Sequence, residues 1–323
     1  MKTPLYHHQL LAADWMVKRE LSLDRPHGCL LADAMGLGKT VSTLATMVRN
    51  PPAEKDITAM RKATLIVVPA SLLSQWEAEI KVHVDEKIFQ KVMPYKSSSR
   101  ISTNILSDCD IVLMSFTEVA NSWPFPSSVE DKADTRLLGE DEWANNRNSL
   151  KGDLQRVKWY RIVLDEAQAI KNYRSRTSIA CHKLDSTYRW TLSGTPVLNS
   201  LNELYPYFRF LRLNWASSFP VFKKNFGDPD ANDSTKRLNV MLSEENNWIH
   251  NTWTSFGSAA ANSSFLADFD SQRSGESNLS HIGRPFPWND EQPFQGRNDR
   301  EKLWVIFDTA SEAQASRVPS LSS

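Results

Sequence analysis

The chain has 323 residues, of which 41% are hydrophobic and 10% aromatic, so it can bury the core of one large or two ordinary domains. No run approaches the ~20 apolar residues of a membrane span, and the first ten residues lack the basic-then-apolar layout of a secretory signal. We therefore expect no membrane partner and no export. The three cysteines, Cys29, Cys109 and Cys181, are scattered without a Cys-x-x-Cys pair, which argues against a disulfide framework or a zinc site.

The formal net charge is zero, but the charge is unevenly distributed along the chain. Residues 1–243 carry 32 Lys and Arg against 27 Asp and Glu, whereas residues 244–323 carry 6 against 11. The mildly basic charge of residues 1–243 is compatible with contact to the phosphate backbone of a nucleic acid but does not by itself indicate such contact.

The first predicted element is an amphipathic helix, because the apolar residues of 6–17 recur at helical spacing. Gln9 lies on this helix or just before it. Its amide can donate to an adenine ring nitrogen and accept from the exocyclic amine, which makes Gln9 a candidate base reader. The alternative is a solvated glutamine on the helix surface.

An apolar run at 30–32, a glycine-bearing turn and then Lys39-Thr40 predict a strand, a phosphate loop and the start of a helix. Glycines let backbone N–H groups converge on a triphosphate, while the lysine reaches the β- and γ-phosphates and the threonine hydroxyl ligates Mg²⁺. The general pattern G-x-x-x-x-G-K-[ST] fails at its first glycine, so a glycine turn before an ordinary helix stays open as an alternative. The candidate ATP-binding residues of the loop are Asp33, Ala34, Met35, Gly36, Leu37, Gly38, Lys39 and Thr40.

Further apolar runs predict buried strands at 63–68, 109–115, 159–164 and 188–193, with helices between them. Strands that alternate with helices indicate a parallel α/β sheet, whose ligands gather at the carboxyl ends of the strands. Residues 121–156 interrupt the pattern, and we expect them to form an inserted surface loop with some helix.

The strand at 159–164 delivers two adjacent carboxylates, Asp165 and Glu166, to its carboxyl end. Opposite a phosphate loop, Asp165 would hold Mg²⁺, and Glu166 would orient and deprotonate the attacking water. The alternative is an acidic pair that caps the next helix. Ser193 ends the next predicted strand and Thr195 lies two residues beyond it, where their hydroxyls could sense the γ-phosphate and Gln168.

Together and in order, these motifs resemble the first motor lobe of the Swi/Snf-type DNA-dependent ATPases of helicase superfamily two, over residues 5 to about 226. The aspartate that breaks the general phosphate-loop pattern is what this family has. The matching stretches are Tyr6-x-x-Gln9 with Trp15, Asp33 to Thr40, Val68-Pro69-Ala70-Ser71-Leu72-Leu73-Ser74-Gln75-Trp76, Asp110-Ile111-Val112-Leu113 with Ser115, Asp165-Glu166-Ala167-Gln168 with Ile170-Lys171-Asn172, and Leu192-Ser193-Gly194-Thr195-Pro196 with Asn199, Leu201, Glu203 and Leu204.

The resemblance implies a RecA-like lobe over residues 1–226, that is, a three-layer P-loop NTPase fold around a parallel sheet, with ATP and Mg²⁺ as cofactors. It also implies translocation along double-stranded DNA in chromatin remodelling or DNA repair, with chromatin or repair proteins as partners and a nuclear location. The loop at 121–156 resembles the RING-finger-bearing repair branch. By resemblance, the catalytic residues are Lys39, Asp165, Glu166 and Gln168, the residues that couple hydrolysis to movement are Gln168, Ser193, Gly194 and Thr195, and the DNA-backbone contacts are Ser71, Ser115 and Thr117.

The sequence departs from the family pattern at three positions and lacks a second lobe. Ala34 replaces a common Glu, Gln168 a His and Leu198 a Gln. Nothing resembles the family's motifs V and VI, whose arginines complete the ATP site. Residues 227–243 resemble the start of the segment between the lobes, and residues 244–323, which are acidic and rich in Ser, Asn and Gln, are expected to be disordered and foreign to the fold.

Two other functions stay open. The first is a half-engine, by which we mean a non-catalytic lobe that binds ATP and DNA but does not hydrolyse ATP. It would lack the arginine supplied across the cleft, which increases the rate by about 10³–10⁵ at related phosphoryl-transfer sites. A small-molecule kinase built on the same loop is disfavoured, since a Ser-Gly-Thr-Pro strand end follows the acidic pair and no lid-like arginine cluster is evident.

Overall fold

The computed structural model describes residues 1–23, 25–96, 99, 101–126, 142, 146, 151–196, 201–226 and 249–250. Seven strands in this part of the chain form one parallel sheet, in the order β3-β4-β2-β5-β6-β1-β7. The strands are β1 (Leu30–Leu31), β2 (Thr64–Val68), β3 (Val92–Pro94), β4 (Ile111–Ser115), β5 (Lys158–Leu164), β6 (Asp185–Leu192) and β7 (Ile249–His250).

Nine α-helices lie within the described ranges, together with short 3₁₀ turns that include Ala70–Leu72 and Ala167–Ile170. None of these helices has both the length and the apolar character needed to cross a membrane. The helices are α1 (His7–Leu21), α2 (Lys39–Arg49), α3 (Glu54–Thr58), α4 (Leu73–His83), α5 (Thr103–Asp108), α6 (Phe116–Ser122), α7 (Arg176–Lys183), α8 (Tyr205–Phe210) and α9 (Phe219–Phe226).

The sheet is the middle of three layers, because its strands bury alternate residues on opposite faces. In β2, Ile66 and Val68 pack in a cluster with α1, α2 and α4, whereas Leu65 and Val67 pack in a second cluster with α5 to α9. All five residues of β2 are buried, as a strand covered on both faces requires. The predicted RecA-like, three-layer parallel-sheet lobe is therefore confirmed.

The predicted strands correspond to β1, β2, β4, β5 and β6, and the structure adds β3 and β7 at the two edges of the sheet. Strand β3 ends in a proline and its residues are partly exposed, so it lacks the apolar run of a buried strand. Strand β7 pairs with β1 and lies inside the predicted tail, 244–323; the rest of that tail lies outside the described residues.

Pairing brings the carboxyl ends of the central strands level with one another. The paired positions at these ends are Ser115 with Val68, Val67 with Leu164, Leu164 with Thr191, and Leu192 with Leu31. The loops that begin just beyond these positions hold the residues predicted to be functional. The sequence-distant motifs therefore converge at one edge because the strands are parallel and in this register.

The two ends of the predicted insertion lie side by side. The Gly152 backbone N–H donates to the Ser122 carbonyl at 2.8 Å. The Gln155 amide donates to the Ser122 hydroxyl at 3.0 Å and to the Ala180 carbonyl of α7 at 3.1 Å. These hydrogen bonds therefore join the two ends of the predicted insertion to each other and to α7. Residues 127–141, 143–145 and 147–150 of the insertion lie outside the described residues.

Because of this closure, replacing residues 127–150 with a short Gly-Ser linker is expected to change the free energy of unfolding by less than about 1 kcal/mol, since loop length affects closure entropy only weakly. Gln155→Ala, which loses two of the three junction hydrogen bonds, is expected to cost about 1 kcal/mol per bond lost. Urea unfolding measures both. A larger loss in the shortened chain than in Gln155→Ala would contradict closure at the junction.

A buried ion pair joins α1 and α2 to the middle of the sheet. Glu20, 2% exposed, accepts hydrogen bonds from Arg161 of β5, Nε and Nη2, both at 2.5 Å. It also accepts from the Trp190 indole of β6 at 2.8 Å and from the Asn50 amide at 2.7 Å. Arg161 donates in addition to the Asn50 carbonyl at 3.0 Å. One carboxylate therefore holds groups from β5, β6 and the end of α2.

Glu20→Ala is expected to lower the free energy of unfolding by about 3–5 kcal/mol, because it leaves the Arg161 charge buried without its partner. Asp14→Ala is the matched control: it removes a second ion pair of α1, Asp14 with Lys18 at 2.7 Å, whose lysine is 60% exposed. An exposed pair contributes at most about 1 kcal/mol. Urea unfolding of both variants checks the difference, and equal losses would refute it.

Candidate active site

The phosphate loop connects β1 to α2 through two glycines in the left-handed region. Gly36 has φ 85° and Gly38 has φ 75°, and Gly38 is the residue that caps α2. A Cβ on Gly38 would lie 2.2 Å from the Gln9 amide nitrogen, whereas a Cβ on Gly36 would meet nothing within 4 Å. In the loop, Asp33 is buried, Leu37, Gly38, Lys39 and Thr40 are half-buried, and Ala34, Met35 and Gly36 are exposed.

Lys39 folds back over the loop that precedes it. Its ammonium donates to the carbonyls of Asp33 at 2.9 Å and Ala34 at 3.1 Å. Burial lowers the pKa of Lys39, while the negative charges of Asp165, Asp33 and Glu166 act in the opposite direction. Both predicted catalytic carboxylates therefore lie near enough to Lys39 for their charges to act on its ammonium.

Asp165 follows β5 directly and is held by two donors, one on each carboxylate oxygen. The Glu166 backbone N–H donates to Oδ1 at 2.9 Å, and the Trp76 indole N–H donates to Oδ2 at 2.8 Å. Asp165 is 7% exposed. Burial raises the pKa of Asp165, and these two hydrogen bonds oppose the rise because they stabilise the ionised form.

Glu166 adopts a left-handed backbone conformation with φ 49°, which a non-glycine residue adopts only at an energetic cost. A row of hydrogen bonds leads away from its carboxylate. The Gln168 amide donates to Glu166 at 2.6 Å, the Ser193 hydroxyl donates to Gln168 at 3.1 Å, and the Thr195 backbone N–H donates to Ser193 at 3.2 Å. The loop after β5 is thus hydrogen-bonded to the loop after β6.

The loop after β6 also approaches the phosphate loop. A Cβ on Gly194 would lie 2.9 Å from Met35 Cγ and 3.8 Å from Lys39 Nζ. Gly194 therefore lies against the phosphate loop, where a side chain would displace Met35.

Gln9 lies against the phosphate loop and is 7% exposed. Its amide oxygen accepts from the Tyr6 backbone N–H at 3.1 Å, and its nitrogen approaches the Leu37 carbonyl at 3.5 Å. A ring nitrogen of His8 is 3.1 Å from the same carbonyl. Both ends of the Gln9 amide thus contact backbone, and its reading of adenine stays a prediction.

The three residues predicted to contact DNA lie at or just beyond the carboxyl ends of the adjacent strands β2 and β4, in two different environments. Ser71 and Thr117 are exposed. Ser115 is 8% exposed, and its hydroxyl accepts the Glu118 backbone N–H at 3.4 Å, which caps α6. Two of the three side chains therefore face solvent, and the DNA contacts stay predictions.

No cluster of three or more His, Cys, Asp or Glu that could hold a metal ion occurs among the described residues. Thr40 is the second residue of α2, which follows the phosphate loop, and Asp165 supplies a carboxylate opposite Lys39. One carboxylate and one hydroxyl suit Mg²⁺ because this ion keeps water ligands and shares phosphate oxygens instead of needing a protein cage. The donor set fits a magnesium–nucleotide complex.

Two features of the site were not predicted. The hydrogen bond from Trp76 to Asp165 was missed, although Trp76 ends one of the stretches that match the family. The pair Glu20–Arg161 was also missed. Its signal was Arg161, an arginine in the middle of an apolar strand, because a buried charge needs a partner.

The family model of the SNF2-related domain matches residues 8–252. The chain belongs to this family. The match extends beyond residue 226, where the resemblance was expected to end, and includes strand β7.

Relatives in this family are considerably longer than the present chain. An uncharacterised ATP-dependent helicase of Schizosaccharomyces pombe is 36% identical over 232 residues, which is 70% of this chain and 21% of the relative. The DNA repair protein rad5 of Aspergillus fumigatus is 33% identical over 248 residues, which is 69% of this chain and 19% of the relative. The chain thus spans about a fifth of the length of these relatives.

A solved structure, the Sulfolobus solfataricus SWI2/SNF2 ATPase core in complex with double-stranded DNA, matches with a TM-score of 0.56 and 27% identity. The match covers 78% of this chain and 45% of that one. The chain therefore corresponds to the N-terminal lobe of an SNF2-family ATPase, as the sequence motifs predicted.

Gly38→Ala is expected to destabilise the lobe more than Gly36→Ala. Both variants incur the cost of a left-handed alanine, about 1–2 kcal/mol, but only the methyl group added in Gly38→Ala must displace the Gln9 side chain. In a Gln9→Ala background the two losses should become similar, which urea unfolding can measure. Equal destabilisation with Gln9 present would contradict the close approach of Gln9 to the loop.

Proposed function

We propose that this lobe binds and hydrolyses ATP as part of a DNA-dependent translocase that acts on double-stranded DNA in chromatin remodelling or DNA repair. The observation that carries the proposal is that the charges of Asp165 and Glu166 act on the Lys39 ammonium, with Glu166 hydrogen-bonded through Gln168 to Ser193. This arrangement supplies both a phosphate-binding loop and an acidic pair for one reaction.

The phosphate loop and its lysine bind the triphosphate. The left-handed conformations of Gly36 and Gly38 turn the backbone so that N–H groups face the phosphates, and the start of α2 adds its positive dipole end. Lys39 exchanges its loop carbonyls for β- and γ-phosphate oxygens. Thr40 and Asp165 would hold Mg²⁺, which would supply positive charge that neutralises the phosphates.

Glu166 acts as the base that orients and deprotonates the attacking water, and Gln9 reads adenine. Gln168, Ser193 and Thr195 couple hydrolysis to movement, because their hydrogen bonds link the Glu166 carboxylate to the loop after β6. A shift of the Glu166 carboxylate therefore moves the loop after β6, and a movement of that loop shifts the carboxylate.

The proposal of a DNA partner rests on the fold and on the relatives. The archaeal core that this chain resembles is described in complex with double-stranded DNA, and one relative is a DNA repair protein. Ser71 and Thr117, both exposed, are the better placed candidates for contact with the DNA backbone, since Ser115 is buried and caps α6. Contacts of this kind position a protein on DNA without reading sequence. A nuclear location follows from this proposal.

The second candidate function is a half-engine that binds nucleotide without turnover. The described residues form a single sheet and its covering helices, and the chain covers 45% of the archaeal core. Arginines from a second lobe would then have to be supplied by another segment or another chain. Their absence would reduce turnover by about 10³–10⁵ while leaving nucleotide binding intact.

The purified full chain is expected to bind ATP and to hydrolyse it faster in the presence of double-stranded DNA. Lys39→Ala should abolish binding because it removes the phosphate-binding ammonium, and Glu166→Gln should bind ATP without turning it over. Glu54→Gln, an exposed carboxylate on α3, is the matched control. Phosphate release and the affinity for a fluorescent ATP analogue are measured side by side.

Each result of this experiment has one meaning. DNA-stimulated turnover that is lost in Lys39→Ala and Glu166→Gln supports a working ATPase. Binding without turnover in the unmodified chain supports the half-engine. No binding by the unmodified chain, at any Mg²⁺ concentration, contradicts both, and phosphoryl transfer to a metabolite would instead support a kinase.

A further inference from the structure

Trp76 donates a hydrogen bond that the assigned roles of the site leave unexplained. It lies on α4, which begins just after the turn that follows β2, and it is 2% exposed. Its ring packs in the cluster that includes Ile66, Val68 and Ile80, and its indole N–H donates to Asp165 Oδ2 at 2.8 Å. A helix on one face of the sheet thus reaches the carboxylate proposed to hold Mg²⁺.

We propose that Trp76 is a positioning residue that holds the Asp165 carboxylate in the orientation that binds Mg²⁺. This inference rests on the proposed function, because it concerns the same magnesium–nucleotide site. Asp165 has one donor on each oxygen, Trp76 on Oδ2 and the Glu166 backbone N–H on Oδ1. Rotation of the carboxylate about its Cβ–Cγ bond would break both hydrogen bonds, so together they fix its plane.

Of the two donors, Trp76 contributes more than the Glu166 backbone N–H to fixing the plane of the carboxylate. The terminal torsion of an aspartate is soft, so a carboxylate held only at Oδ1 by the neighbouring backbone would still rotate. Trp76 is anchored in the core, and its N–H therefore has a fixed position.

A purely structural role for Trp76 predicts a different result, and the chain contains a matched control. Trp190 is fully buried in the same cluster, and its indole N–H also donates to a buried carboxylate at 2.8 Å, that of Glu20. Trp76→Phe and Trp190→Phe therefore remove the same kind of bond and the same kind of ring. Only Trp76→Phe removes the bond at the metal-binding carboxylate.

The experiment titrates Mg²⁺ against each full-length variant and measures binding of a fluorescent ATP analogue, with EDTA as the zero point. Trp76→Phe is expected to leave the affinity in EDTA unchanged and to raise the Mg²⁺ concentration for half-maximal effect by about 10-fold, since loss of a residue that orients a metal ligand typically costs 10–100-fold in metal affinity. Trp190→Phe is expected to lose stability but keep the half-maximal Mg²⁺ concentration of the unmodified chain.

Asp165→Asn provides the second arm. If Trp76 acts through Asp165, adding Trp76→Phe to Asp165→Asn should produce no further change in Mg²⁺-dependent nucleotide binding. The inference is overturned if Trp76→Phe titrates like the unmodified chain, if Trp190→Phe shifts as far, or if the two substitutions act additively. Failure of the unmodified chain to bind nucleotide would instead overturn the proposed function.

A spectroscopic measurement keeps the inference testable if Trp76→Phe does not fold. With ¹⁵N-labelled tryptophan, the indole N–H resonance that moves in Asp165→Asn identifies Trp76. The same resonance should move when Mg²⁺ is added to the nucleotide complex, because the metal withdraws charge from the carboxylate that accepts this bond. An indole resonance that responds to Asp165→Asn but not to Mg²⁺ would refute the positioning role.

Discussion

The buried carboxylate of Glu20 is the interaction on which the arrangement of this lobe depends. It accepts four hydrogen bonds, two from Arg161 and one each from Trp190 and Asn50. Through these bonds α1, which carries Gln9, and the end of α2, which follows the phosphate loop, are held to β5 and β6, the strands that lead to the acidic pair and to Ser193. Neither charge of the pair can be removed alone, because the other would stay buried without a partner.

The two adjacent carboxylates of the site are held from opposite sides. Asp165 is fixed by Trp76 from α4, and Glu166 is hydrogen-bonded through Gln168 to Ser193 beyond β6. The backbone between them is left-handed at Glu166, which directs two consecutive side chains to different partners. In the proposed reaction this separation lets one carboxylate serve the metal while the other acts on water and on the loop that couples hydrolysis to movement.

Sequence patterns predicted the strands and turns that depend on residue types over a few neighbouring positions. Strands β2 and β4 are mostly apolar, and β5 is apolar between Trp159 and Leu164 except for Arg161, because a parallel strand is buried on both faces. The left-handed turns required glycine at 36 and 38. The edge strands β3 and β7 were missed since one is partly exposed and ends in proline and the other has two residues. Ser115 is buried as the last residue of the strand predicted at 109–115, but the cap that its hydroxyl forms on α6 was missed, because a strand-end hydroxyl can serve a helix cap as well as a ligand.

The sequence by itself determined the fold class and the family, and it supplied the prediction of the phosphate loop and acidic pair, because these depend on residue types at short, fixed spacing. Only the tertiary structure decided which distant groups meet: Trp76 with Asp165, Gln9 with Gly38, and Glu20 with Arg161. Those contacts depend on strand order, register and the packing of helices on the sheet. Trp76 and Asp165 are 89 positions apart and Glu20 and Arg161 are 141 apart, so neither hydrogen bond produces a periodic pattern in the sequence.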